Sequence, residues 1–170
     1  MDNTQIENIT LSYLQLSDYQ ELKEAMIDSY QTMSEAYWRE DQITALFDKF
    51  PEGQVVIRIN DQLAGCALSI IVDEDHLEGE HTYKGITSNF TFDKHNNEGD
   101  LLYGIDVFIK PEYRGLRLGR RLYDYRKELC EKLNLKGIVF GGRIPNYHKY
   151  ADKMTPKEYL EKVKIKEIHD

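Results

Sequence analysis

Apolar and polar positions alternate at Ile9, Leu11 and Tyr13, which predicts a first strand. Ser17 followed by Gln20 predicts a capping box, opening a helix that turns Leu22, Ala25, Met26 and Ser29 to the core. A second helix is predicted over Glu40–Phe50, where Ile43, Leu46, Phe47 and Phe50 share a face, and Pro51-Glu52-Gly53 ends it. The β-branched runs Gln54–Ile59 and Leu63–Val72 read as strands joined through Asn60-Asp61, a hairpin turn signal.

The pattern breaks over residues 73–100, which are acidic first and then rich in Gly, Asn and Thr. So long a connection is either functional or an elaborated hairpin, and the pattern leaves both open. Leu101–Ile109 reads as a fourth strand. Leu118, Leu122, Leu129 and Leu133 then recur at helical spacing, with Tyr125 near the same stripe. Asn134 and Gly137 end that helix before a short buried strand, Ile138–Phe140, which Gly141-Gly142 terminates. A helix starts near Asn146, and Thr155-Pro156 with Glu158 opens another. There is no internal repeat.

At 170 residues the chain is expected to form a single domain, 1–170, of α/β (α+β) class. The net charge of −8 argues against nucleic-acid binding, because counterion release needs a basic face; it favours cationic amines as ligands. No segment approaches transmembrane length, so no membrane association is expected. Asp2 and Glu7 stand where a signal peptide needs a basic region and an apolar run, so a cytoplasmic location is expected. Cys66 and Cys130 make no disulfide framework and read as buried small residues. His76, His81, His95 and His169 lack metal-ligand spacing, and no metal is expected.

The dense basic cluster lies in YRGLRLGRRL, residues 113–122, between the fourth strand and the long helix. A helix start presents unpaired N–H groups and a positive dipole end, which suit a phosphate. Gly115 and Gly119 would let the phosphate approach the main chain. The competing reading is a strand-to-helix turn with solvated arginines.

VFIKPEYRGLRLG (107–119) resembles the acetyl-CoA signature of the GNAT superfamily of N-acetyltransferases, in which an Arg/Gln-x-x-Gly-x-Gly/Ala loop follows a strand and opens a helix. Arg117 stands where the family has its middle glycine. The resemblance extends more weakly from Ile9 to Tyr150. It is closest to a GNAT-like subgroup also found fused to carbon–nitrogen hydrolase domains, through YGIDVFI and FGGRIPNYHKYADKMTP. It implies a mixed, mostly antiparallel central sheet flanked by helices, with acetyl-CoA as cosubstrate and an amine as acceptor. Main-chain groups of Val107, Phe108 and Ile109 would then pair with pantetheine and stabilise the thioester oxyanion. Arg114, Gly115, Leu116, Arg117, Leu118, Gly119 and Arg120 would hold the pyrophosphate.

By the same resemblance Asp106, which interrupts an apolar strand, is the candidate base; the alternative is that it only pairs with an arginine such as Arg143. Tyr150 is the candidate acid for the departing thiolate, with Tyr147 as rival. Glu112 reads as a turn residue and His148 as a surface histidine. The family's last two strands have no counterpart here, although Val163-Lys164-Ile165 could begin a strand. The expectation is an open sheet edge beside the fifth strand, filled by a second subunit in a homo-oligomer or by a missing C-terminal segment. A non-catalytic CoA-binding or regulatory module is the alternative to an acetyltransferase.

Overall fold

The β-branched runs pair into one sheet in the computed structural model, which describes residue 6 and residues 8–31, 37–79 and 81–170. Asp2 and Glu7 lie outside the described residues. The strands are β1 (Ile9–Tyr13), β2 (Val55–Ile59), β3 (Gln62–Val72), β4 (Leu101–Ile109) and β5 (Gly137–Phe140), in the order β1-β2-β3-β4-β5. The first three junctions are antiparallel and β4–β5 is parallel. Asn60 and Asp61 both take positive φ, 48° and 67°, as a two-residue hairpin matching the strand twist requires.

Helices cover both faces. α1 (Tyr19–Ser29) and α2 (Glu40–Lys49) bury Leu22, Met26, Ile43 and Leu46 against Val56, Leu68, Ile70 and Phe108. α4 (Leu118–Lys132) buries Leu118 and Leu122 against Val55, Ile57 and Ala67, and Leu129 against Ile71 and Leu102. Covered on both sides, β3 reads as a continuous apolar run instead of an alternating one. The start of α1 differs from the Ser17–Gln20 box. A 3-10 turn at Leu16–Asp18 comes first, and the Asp18 carboxylate accepts from the Gln15 N–H at 2.8 Å. The reciprocal box therefore closes earlier than expected, with Gln15 at the N-cap of the 3-10 turn and Asp18 at its third position, and α1 continues from that turn.

β3 outruns β2, and side chains take over where the strand partner ends. The Gln54 amide donates to the Ser69 carbonyl at 2.8 Å and accepts from the Ser69 N–H at 3.2 Å. His95 Nδ1 accepts from the Ile71 N–H at 3.1 Å while its ring stacks on Phe50. Buried polar main chain is thus paired without another strand.

The chain divides into two compact units after Phe140. In the second, Tyr159 is fully buried; its ring meets those of Tyr147 and Tyr150, and its hydroxyl donates to Asp170. α5 (Pro156–Lys164) starts on a Thr155–Glu158 capping box, as that sequence predicts. Val163 and Lys164 continue this helix instead of starting a strand: the cap and the proline at its first turn nucleate it, and Lys162 and Lys164 complement its C-terminal dipole. Among the described residues no strand follows β5, and no helix is long and apolar enough to cross a membrane.

Candidate functional site

The centre of β4 carries a bulge. Leu68 pairs with Asp106 and Ser69 with Gly104, so Ile105 is an extra residue. β5 pairs with β4 only from Leu101 to Gly104. Beyond the bulge the side of β4 away from β3 has no strand partner among the described residues.

Hydrogen-bond alternation fixes which groups line that free edge. Both Ser69 main-chain groups turn to Gln54, so those of Leu68 and Cys66 turn to β4, and their partners Asp106 and Phe108 turn theirs to β3. Val107 and Ile109 therefore direct their N–H and C=O groups to the free edge. The Ile109 carbonyl there already accepts from Arg114 Nε at 3.2 Å. Of the three residues expected to pair with pantetheine, Phe108 has its main chain turned into the sheet; its ring meets Tyr30 edge-on.

The bulge also sets the direction of Asp106. A regular strand would send Ile105 and Asp106 to opposite faces; here Ile105 joins the α1/α2 core while Asp106 meets Tyr30 and Trp38, which border the same core. The Tyr30 hydroxyl donates to Asp106 Oδ1 at 2.5 Å and Trp38 Nε1 to Oδ2 at 3.1 Å. Neither partner is a cation.

Residues 73–100 build the wall behind Trp38. α3 (Tyr83–Ile86) leads into a left-handed run, with φ of 52°, 53° and 70° at Ser88, Asn89 and Phe90 and 60° at Phe92. Such conformations cost roughly 1–2 kcal/mol per L-residue. The Thr87 carbonyl accepts from the N–H groups of both Phe90 and Phe92, which holds the run closed. Phe90, Phe92 and Tyr83 all pack on Trp38, and the Tyr83 hydroxyl donates to the Ile105 carbonyl at 2.9 Å. The long connection thus supports the indole that holds Asp106.

The basic loop continues from the free edge. A 3-10 turn at Pro111–Tyr113, whose Glu112 pairs with Lys110 at 3.0 Å, precedes Gly115 at φ 88° and Arg117 at φ 59°. Arg117 keeps the left-handed backbone that a glycine would supply. A Cβ on Gly115 would meet nothing within 4 Å, and one on Gly119 only Ile109 at 3.9 Å, so both glycines face open space. α4 then begins with no acidic residue in its first turn. Its leading N–H groups, at Leu118, Gly119 and Arg120, lie within the first turn and lack intrahelical partners. Leu118 sends its side chain into the core, Leu116 is exposed, and the arginines at 117, 120 and 121 are exposed. Arg114 is bent back to the Ile109 carbonyl and to the Ser29 carbonyl at 3.4 Å, tying the loop to α1. Open glycines, free helix N–H groups and an unpaired strand edge in sequence make one run of available main-chain donors and acceptors from β4 to the first turn of α4.

Arg126, which the sequence reading passed over, lies beneath the bulge on the α4 face. Its side chain is only 2% exposed. Nη2 donates to the carbonyls of Leu68 at 2.8 Å and Asp106 at 2.7 Å, and Nε to Ser69 Oγ at 3.1 Å. Burial pulls its pKa below the usual arginine range. Burial likewise pushes the Cys66 thiol well up, so that thiol is inert. The signal for Arg126 was its place on the apolar stripe of α4, four residues after Leu122 and three before Leu129.

In the C-terminal unit the Tyr147 hydroxyl donates to the Met154 carbonyl at 2.9 Å. The half-buried Tyr150 packs its ring on Tyr159, and its hydroxyl bonds to no described residue. His148 is exposed and its Nδ1 lies 2.7 Å from the Pro145 carbonyl.

Residues 19–151 match the acetyltransferase (GNAT) family. The chain is 41% identical over 133 residues to "Probable hydrolase YhcX" of Bacillus subtilis, covering 78% of this chain and 26% of that protein. It is 34% identical over 129 residues to "Uncharacterized N-acetyltransferase YkwB" of the same organism, covering 76% and 57%. It therefore spans well under two thirds of either relative. Among solved structures, the GphF GNAT-like decarboxylase in complex with isobutyryl-CoA superposes with a TM-score of 0.77 at 12% identity, over 89% of this chain and 75% of that one.

Proposed function

Because the chain belongs to the GNAT family of acetyltransferases, we propose that it binds acetyl-CoA along the free edge of β4 and transfers the acetyl group to an amine. The observation that carries this reading is the run of main chain from Val107 and Ile109 through the open Gly115–Arg117 loop to the first turn of α4. The pantetheine amides pair with Val107 and Ile109, while the ring of Phe108 borders the acceptor side. The Val107 N–H, held by the sheet, donates to the thioester oxygen as it gains charge. The pyrophosphate lies on Gly115, Leu116, Leu118 and Gly119, with Arg117 and Arg120 beside it. Arg114 shapes the loop.

Asp106 takes a proton from the acceptor's ammonium through the Tyr30 hydroxyl, which already hydrogen-bonds to it, and the free amine so formed attacks the thioester carbon. Thiolate protonation falls to Tyr150, since the Tyr147 hydroxyl is engaged by Met154. Transfer takes place in the cytoplasm.

Titration calorimetry with acetyl-CoA on wild type and Gly119→Asp tests the site. The aspartate adds bulk and negative charge where the phosphate must approach, so affinity falls at least tenfold, the effect of about 1.4 kcal/mol. Equal affinities would remove the assignment. Binding without transfer across small amines, peptide N-termini and lysines would replace catalysis with a CoA-sensing role.

A further inference from the structure

Arg126 holds a buried positive charge with no carboxylate at ion-pair distance among the described residues, an arrangement that is expensive unless something else uses the charge. Two of its three nitrogens serve the sheet. Nη2 ties the Leu68 and Asp106 carbonyls together beside the bulge, and Nε reaches Ser69. Nη1 donates to no described residue. It passes under Gly104 towards β5: a Cβ on Gly104 would lie 3.0 Å from Nη1 and 3.2 Å from the Cβ of Phe140. Gly104 and Phe140 form the last rung where β4 and β5 pair. Nη1 therefore lies where the free edge of β4 begins, and the absent Cβ of Gly104 gives it room.

The direction of a bound cosubstrate follows from the other end of that edge. Ile109 is next to Gly119, where the pyrophosphate is proposed to sit, so the arm runs from Ile109 back towards Gly104 and delivers its sulfur to the last rung. We propose that Arg126, through Nη1, stabilises the CoA thiolate as it leaves the acyl group, which makes it a catalytic residue; this rests on the acyl-CoA reading above. The amine nitrogen forms its bond to the thioester carbon, and its proton passes to Asp106. The C–S bond breaks, its electron pair stays on sulfur beside the guanidinium, and the thiolate is protonated afterwards. A neutral side chain could accept the sheet-holding task but not this one.

The titratable groups packed round this point are Arg126 and Tyr123 from α4, Asp106 and Tyr103 from β4, Cys66 from β3, Tyr83 from α3, and Tyr30 beyond α1. Among them Arg126 is the cation; Asp106 opposes it, but is turned to the other face of the strand.

The test uses free CoA isotope-labelled at the carbon next to sulfur, bound to the full chain, with the thiol titrated by the NMR shift of that carbon. Free CoA in solution sets the reference, and in the complex its thiol should titrate at least about one unit lower, a tenfold preference for the thiolate form. The shift shrinks in Arg126→Lys, whose single ammonium cannot hold both carbonyls and also reach past Gly104, and vanishes in Arg126→Met. An unshifted thiol in the wild-type complex, or the full shift in either folded variant, would overturn the proposal. Failure of wild type to bind CoA at all would instead bring down the acyl-CoA reading on which it stands.

Discussion

Arg117 combines a strained backbone with an exposed cation, and the two contributions separate under substitution. With φ 59° and ψ 23° at the N-cap of α4, the residue carries a left-handed conformation worth about 1–2 kcal/mol of strain. Arg117→Gly relieves that strain but gives the unfolded chain more freedom, worth about 0.5–1 kcal/mol in the opposite direction. The net effect is a gain of up to about 1.5 kcal/mol, or at most about 3–6 °C in Tm for a chain of this size. Arg117→Ala keeps the strain and gains nothing. Both lose one charge-assisted contact to phosphate, about 1.5 kcal/mol at the lower end, so CoA binds about tenfold more weakly. The loss shrinks as salt is raised, because the guanidinium is exposed. Thermal melts of the free protein and calorimetry with CoA at two salt concentrations measure both effects. Tighter CoA binding by Arg117→Gly than by wild type would refute the reasoning, because the side chain would then obstruct the phosphate.

Asp106→Asn should lower turnover by about 10²–10⁴-fold below the pKa of the amine acceptor, with partial recovery above it, whereas an unchanged pH–rate profile would eliminate this residue as base. Tyr150→Phe should slow turnover while leaving CoA affinity within about twofold, since a lost acid contributes to departure and not to binding; loss of affinity instead would assign the ring to the binding surface. His95 is held neutral, its pKa pushed below the usual value by burial, and its Nδ1 must stay unprotonated to accept from Ile71. Its contribution to stability is therefore complete above about pH 6.5 and lost as pH falls through the lowered folded-state value. Urea unfolding across that range should show a steeper acid loss in wild type than in His95→Gln, and parallel curves would dismiss the role.

The sheet, the long helix and the glycine-bearing basic loop between them were legible because periodicity and glycine placement are local signals. Leu101–Ile109 reads as a strand whether or not it contains a bulge, so the sequence could place Asp106 near the site but not give its direction. The bulge depends on the Leu68 and Ser69 pairing, set far away in the chain. The same limit hid Trp38 and Tyr30: nothing in their surroundings marks them as partners of a carboxylate 68 and 76 residues away. Arg126 was missed because a charge on the apolar stripe of a helix looks like a surface residue at the stripe's margin; only the unpaired carbonyls beneath the bulge explain its burial. Residues 73–100 carry no helical or strand period because their shape comes from left-handed main chain, which Ser, Asn and Phe do not announce.

The extra residue at Ile105 has an electrical consequence. If the alternation of Leu101–Ile105 ran on without a break, Asp106 would point to the α4 face, where Arg126 lies, and acid and guanidinium would neutralise one another in a buried pair. The bulge leaves the carboxylate above the strand and the cation below it, so a fixed electric field runs through the free edge of β4. A thioester lying along that edge would have its sulfur towards the positive pole and its incoming amine towards the negative one. In the proposed reaction that field would drive electrons and proton in the directions the transfer requires before either has moved, and only one polypeptide strand keeps the two charges apart.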